Sequence, residues 1–341
     1  MSSNRQPTRY RRAPARTLLG LAMAVGLAAG CEQTLDVGHN TKSKLPADAH
    51  NPAILMNDTF SDNWSPELAA LFANNGGPPL LGIIVNASLY WPDLDANVAG
   101  WNDFVTRARA SGLQGLPDVT RSETTAFVVP PDRQIESTEF HPSSVGAQFI
   151  VDKSRELSLP WLPVVIVACS QLTDIAEAYL IDPTVVDRVV VVAQLGSYSE
   201  KKGLMTGPNG DLDPWADWIV AQKFRYVQVS AFYDQSSDVT ASDVLPSNEL
   251  GAWMAAKRAK LSTLQSAADQ EPILALAAPE FVTNVVLSSP DTSAGFASPF
   301  GQGPPLVPDP SGNAWLVTQI DATVPRKRMW QMLNNPDTFK P

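Results

Sequence analysis

Two stretches, PVVIVAC (163–169) and RVVVVAQL (188–195), are apolar at almost every position, and DIAEAYLI (174–181) lies between them with helical spacing. A strand with one wet face alternates apolar and polar residues; one apolar throughout is buried on both faces. Strand–helix–strand repeats of this kind build a parallel sheet covered on both sides by helices. The same rhythm runs earlier, with AILM (53–56), ELAALFANN (67–75), LLGIIVNA (80–87), WNDFVTRARASG (101–112) and VGAQFIVDKSREL (145–157). Together they predict an α/β chain with one mostly parallel, open, Rossmann-like sheet and helices on both faces. Ligands of such sheets bind in the crevice at the carboxyl ends of the strands.

The later segments are less regular. FRYVQVSAF (224–232) reads as a strand and 249–268 as an amphipathic helix. EPILALAAPEFVTNVVL (271–287) reads as a strand followed by a helix opened by Pro279, and 288–313 as a long loop of the kind that forms lids or binding loops. Asp211, Asp213 and Asp217 precede or open a helix and are expected to cap it. Most of the nine tryptophans are expected in ordinary packing, and Cys169 as a small buried hydrophobe.

The amino-terminal end is of another kind. Five arginines precede LLGLAMAVGLAAG (18–30), an uncharged run too short for a bilayer span and the length of a signal-peptide apolar region. It leads through small residues into Cys31, the pattern of a lipidated bacterial precursor. The expected organisation is a signal peptide over 1–30, a polar tether over 31–51 and one domain over 52–341. The expected location is the cell envelope, with the lipid on Cys31 as the only membrane contact. Removing residues 1–30 takes five of the 25 basic residues and none of the 35 acidic ones, which moves the net charge from −10 to −15. A chain this acidic is a poor partner for nucleic acid. Its expected partner is a small molecule, with homo-oligomerisation left open.

The residues that carry chemistry are oxygen-bearing. Three scattered histidines do not form HExxH, and neither G-x-S-x-G nor a Walker loop is present. What stands out is MNDTFSDNW (56–64), where an apolar strand stops at Asp58, Asp62 and Asn63. Carboxylate and amide oxygens at a strand end suit a hard cation such as Ca²⁺. The same residue types also cap helices and satisfy loop amides, so the pattern leaves both readings open.

The segment D58-T-F-S-D62-N63 resembles the D-x-x-x-D-D opening of the inosine-uridine type nucleoside hydrolases, apart from its last position. Val164 to Tyr198 resembles that family's central strand, G-P-L-T-N, helix, proline, strand and M-G-G block, and GPNGDLDPWADWIV (207–220) is similar to its E-F-N-x-x-x-D-P stretch. The resemblance implies the nucleoside hydrolase fold and Ca²⁺-dependent cleavage of N-glycosidic bonds in ribonucleosides or related N-ribosides. It implies Asp58 as metal ligand and base, with Asn63, the Cys169 carbonyl and Asp309 completing the metal set. Asp62, Asn86 and Asn209 would bind the ribose.

Three positions depart from the pattern: Asn63 replaces an acid, Gly207 a ribose-binding glutamate, and Pro308 the histidine expected before Asp309. These departures keep a second expectation in view, a lipid-anchored protein that binds nucleosides or sugars without turnover. A third is a surface protein with a vestigial cleft.

Overall fold

The computed structural model describes residues 45–61, 63–199, 203–206, 208–229, 239–260, 268–296 and 304–340. Residues 1–44, which hold the expected signal peptide, most of the tether and Cys31, lie outside the described residues, as do Asp62 and Gly207. The strands are β1 (Ala53–Asn57), β2 (Leu80–Val85), β3 (Val119–Arg121), β4 (Val164–Cys169), β5 (Val189–Ala193), β6 (Gly196–Ser199), β7 (Gly203–Thr206), β8 (Arg225–Val229), β9 (Val282–Pro290), β10 (Leu306–Pro308) and β11 (Ala314–Ile320). The helices are α1 (Ser65–Ala73), α2 (Leu94–Ala110), α3 (Val145–Leu157), α4 (Thr173–Ile181), α5 (Pro208–Leu212), α6 (Pro214–Lys223), α7 (Glu249–Lys260), α8 (Glu271–Ala277) and α9 (Val324–Leu333).

Among the described residues, nine strands form one sheet in the order β10-β9-β11-β8-β5-β4-β1-β2-β3, and β6 and β7 form a separate hairpin. Seven neighbouring strands, from β11 to β3, pair in parallel, and β9 and β10 close one edge antiparallel. The α/β, mostly parallel expectation is met.

Period-two alternation explains why the central strands are apolar throughout. Ala53, Leu55, Val165, Val167, Val190 and Val192 pack under α1, α2, α7, α8 and α9. Their neighbours Ile54, Met56, Val164, Ile166, Val189 and Val191 pack under α3, α4 and α6. With no wet face, no strand position is left for a charge.

Two expectations are corrected. EPILALA is helix α8, and the strand β9 follows it, the reverse of the expected order. A short apolar run does not distinguish a buried helix from a strand by period, and Pro272, lacking an N–H, is tolerated in a first helical turn. The stretch expected to be one loop over 288–313 contains the end of β9 and all of β10, paired antiparallel. Pro290 and Pro308 sit in that edge pair, where a missing N–H leaves no interior ladder bond unmade.

The strand order increases in opposite directions on either side of β1 and β4, with β2 and β3 on one side and β5 and β8 on the other. The gap between the carboxyl ends of β1 and β4 is therefore the topological switch point, where open α/β sheets bind ligands.

Candidate active site

β1 ends because Asn57 folds its side chain back on the next residues. Its Oδ1 accepts the Thr59 N–H at 2.7 Å, and its Nδ2 donates to Ser65 Oγ at 3.2 Å. Asp58, the next residue, is 4% exposed. The loop then reaches Asn63, whose Oδ1 accepts the Ser65 N–H at 2.8 Å as α1 begins. The first N–H of α1, that of Ser65, is thus met by the Asn63 side chain.

Asn57 is the register partner of Cys169 at the end of β4. The acid that joins the loop after β1 to the end of β4 is Asp269, just upstream of α8. Asn63 Nδ2 donates to Asp269 Oδ2 at 2.8 Å, and the Cys169 thiol donates to the Asp269 carbonyl at 3.1 Å. All three residues are buried.

Asp309 is elsewhere, which corrects its expected place in the metal set. It follows β10, six strand positions from β1. At roughly 4.8 Å per strand this is about 29 Å across the sheet. Register steps across the sheet bring Pro308 level with Ile54, so Asp309 also stops short of the carboxyl edge. Its carboxylate instead serves its own turn: it accepts Ser289 Oγ at 2.6 Å and the Ser311 N–H and Oγ at 2.9 and 2.7 Å, contacts that lower its pKa.

Sequence reasoning misses Asp269 because it stands at the boundary of a segment whose secondary structure the apolar pattern misorders. An acid next to a proline-opened helix is the one available signal.

Two expected ribose-binding residues lie at flanking strand ends. Asn86, just past β2, is fully buried; its Nδ2 is 3.4 Å from Asp174 Oδ2, and its Oδ1 has no hydrogen-bond partner. Asn209, in α5, shares its Nδ2 between the Gln194 carbonyl at 3.2 Å and Gln194 Oε1 at 3.3 Å, just past β5. Asp58, Asn63, Asn86, Cys169 and Asn209 therefore line the carboxyl edge across β2, β1, β4 and β5.

Behind Asn86 lies Asp174, in the first turn of α4, which no sequence pattern singles out. It accepts Ser122 Oγ at 2.6 Å and Ser144 Oγ at 3.4 Å, and burial pushes its pKa up to about 6 against these hydrogen bonds. Asp213 is raised to about 6 for the same reason, despite Thr173 Oγ1 at 2.6 Å and two backbone N–H groups. Its capping of α6 through the Ala216 N–H meets the sequence expectation. Trp64, Trp101 and Trp215 are core residues, and Cys169 is a buried free thiol.

Calcium takes roughly six to eight oxygen ligands, and these side chains as they stand do not fit it. Among the described residues no three His, Cys, Asp or Glu side chains converge to hold a metal. Asn63 also turns its N–H, not its oxygen, toward the Asp269 carboxylate.

No protein-family model matches the sequence, and no curated protein matches it. Solved structures do. The inosine-uridine preferring nucleoside hydrolase of Bacillus anthracis superposes with a TM-score of 0.54 at 13% identity, over 83% of this chain and 99% of that one. An inosine-guanosine nucleoside hydrolase gives 0.58 at 14%, over 83% and 98%. The purine-preferring ribonucleoside hydrolase of Gardnerella vaginalis gives 0.52 at 15%, over 84% and 99%. The chain has the nucleoside hydrolase fold along nearly the whole length of these proteins.

Proposed function

We propose that the chain takes a ribonucleoside or related N-riboside into the crevice at the carboxyl ends of β1 and β4 and hydrolyses its N-glycosidic bond. The observation that carries this reading is the Asn63–Asp269 contact beside buried Asp58, which directly follows β1, at the switch point of a nucleoside hydrolase fold. Asp58 accepts the proton of a water that attacks the anomeric carbon. The base departs through an oxocarbenium-like transition state and takes up a proton from solvent, to which Asp58 later returns the one it accepted, while the buried carboxylates stabilise the sugar's developing positive charge. Asn86, with an unpartnered oxygen, and Asn209 are the groups that bind sugar hydroxyls.

The test is release of ribose from a panel of ribonucleosides, followed as reducing sugar. Release that is abolished in Asp58→Asn supports the reading. No release from any member of the panel, or release unchanged in Asp58→Asn, sinks it.

The contact between Asn63 and Asp269 favours a second reading, a pocket that binds ribosides without cleaving them. Calorimetry separates the two, since intact nucleoside recovered from a saturable complex supports the second. The same proposal places the protein in the cell envelope, held by lipid on Cys31. A Cys31→Ser variant is then expected to lose uptake of labelled palmitate.

A further inference from the structure

We infer that the side-chain amide of Asn63 does in this protein what a divalent cation would do between the ends of β1 and β4, so that the crevice is built to work without a metal. The amide's orientation is set by chemistry. Its Oδ1 accepts the Ser65 N–H at 2.8 Å and its Nδ2 donates to Asp269 Oδ2 at 2.8 Å. Turned over, the group would set N–H against N–H at Ser65 and oxygen against carboxylate at Asp269, replacing two attractions by two repulsions.

The Cys169 thiol holds the Asp269 backbone from the other side at 3.1 Å, and Asn63, Asp269 and Cys169 are all shielded from water. A carboxylate buried this way needs a donor or a counter-charge. Asn63 supplies the donor, and its N–H occupies the direction from which an ion would approach.

An aspartate at position 63 has one oxygen for Ser65 and turns the second toward Asp269. Two facing carboxylates then need a shared proton or a cation between them. One amide in place of one carboxylate oxygen therefore removes the need for an ion at this contact.

The inference concerns what fills the crevice floor and holds whether the riboside is cleaved or only bound. To test it, the wild-type protein and Asn63→Asp are stripped with EDTA and titrated with calcium chloride by calorimetry. Thermal unfolding is followed with and without calcium. The wild type is expected to show no saturable calcium binding at millimolar ion and an unfolding midpoint unchanged by EDTA. Asn63→Asp is expected to bind one calcium per chain at least tenfold more tightly than any wild-type binding, and to unfold at a higher temperature with calcium than without.

A wild type carrying one calcium per chain overturns the inference, and this arm needs no variant. A folded Asn63→Asp that ignores calcium overturns it as well. Ribose release measured in EDTA is read separately: a calcium-free wild type inert toward nucleosides defeats the proposed function and leaves this inference standing. A calcium-bound wild type that cleaves them does the reverse.

Discussion

Replacing Asp174 by asparagine removes a carboxyl group that the fold buries completely and whose pKa it raises from 3.8 to about 6. The native state therefore binds a proton more tightly than the unfolded chain. Below the unfolded pKa that carboxyl is neutral in both states and contributes no penalty. As pH rises toward the folded pKa and beyond, the penalty of keeping a buried carboxylate grows and then levels off. Between about pH 4 and about pH 8 a shift of this size integrates to a loss of about 2 kcal/mol.

The asparagine side chain of the variant carries no such penalty. Its Oδ1 can still accept the Ser122 and Ser144 hydroxyls, and once the Asn86 amide, whose Nδ2 faces this position in the wild type, turns over, the new N–H meets the Asn86 Oδ1. Urea unfolding of both proteins at the two pH values is the assay. Asp213, shifted alike in both, cancels in the comparison. Asp174→Asn is expected to gain about 2 kcal/mol on the wild type between the acidic and the alkaline condition. An equal difference at both pH values would refute the assignment of the shift to burial.

Lys257 donates to both Glu67 oxygens at 3.0 Å while Trp253 Nε1 donates to one of them at 2.8 Å, all within the packing under α1. Lys257→Met, which strands the Glu67 charge, is expected to lower the unfolding free energy by about 3–5 kcal/mol, with most of it restored when Glu67→Leu is added. Asn86→Ala is expected to weaken riboside affinity about fivefold to tenfold by calorimetry, the value of roughly one hydrogen bond; unchanged affinity removes Asn86 from the site. Asp309→Ala is expected to leave riboside affinity and ribose release within twofold of the wild type, because its carboxylate only closes its own turn. A tenfold loss would return it to the crevice.

The parallel core was legible in the sequence because burial on both faces leaves an unmistakable mark: PVVIVAC and the VVVVA of 189–193 admit no charge, and β4 and β5 lie where they do. The position of Asp58 and Asn63 beyond the carboxyl end of β1 was legible because they follow such a strand. What the sequence hid were contacts made over long separations. Asp269 reaches Asn63 across 206 positions, and the run that follows it, EPILALA, has no period that separates helix from strand. Asp309 imitated a ligand because a proline-flanked turn and a metal loop use the same residue types. The strand order, which sets it six positions from β1, is a property of the whole sheet and not of the local sequence.

Hydrogen–deuterium exchange of the full chain with and without a saturating ribonucleoside tests the location of the site most directly. Protection is expected at 57–65, 86–91, 169–174 and 208–212, the segments at the carboxyl ends of β1, β2, β4 and β5, with none at 306–311. Protection confined to 306–311, or to the opposite edge of the sheet, would contradict it.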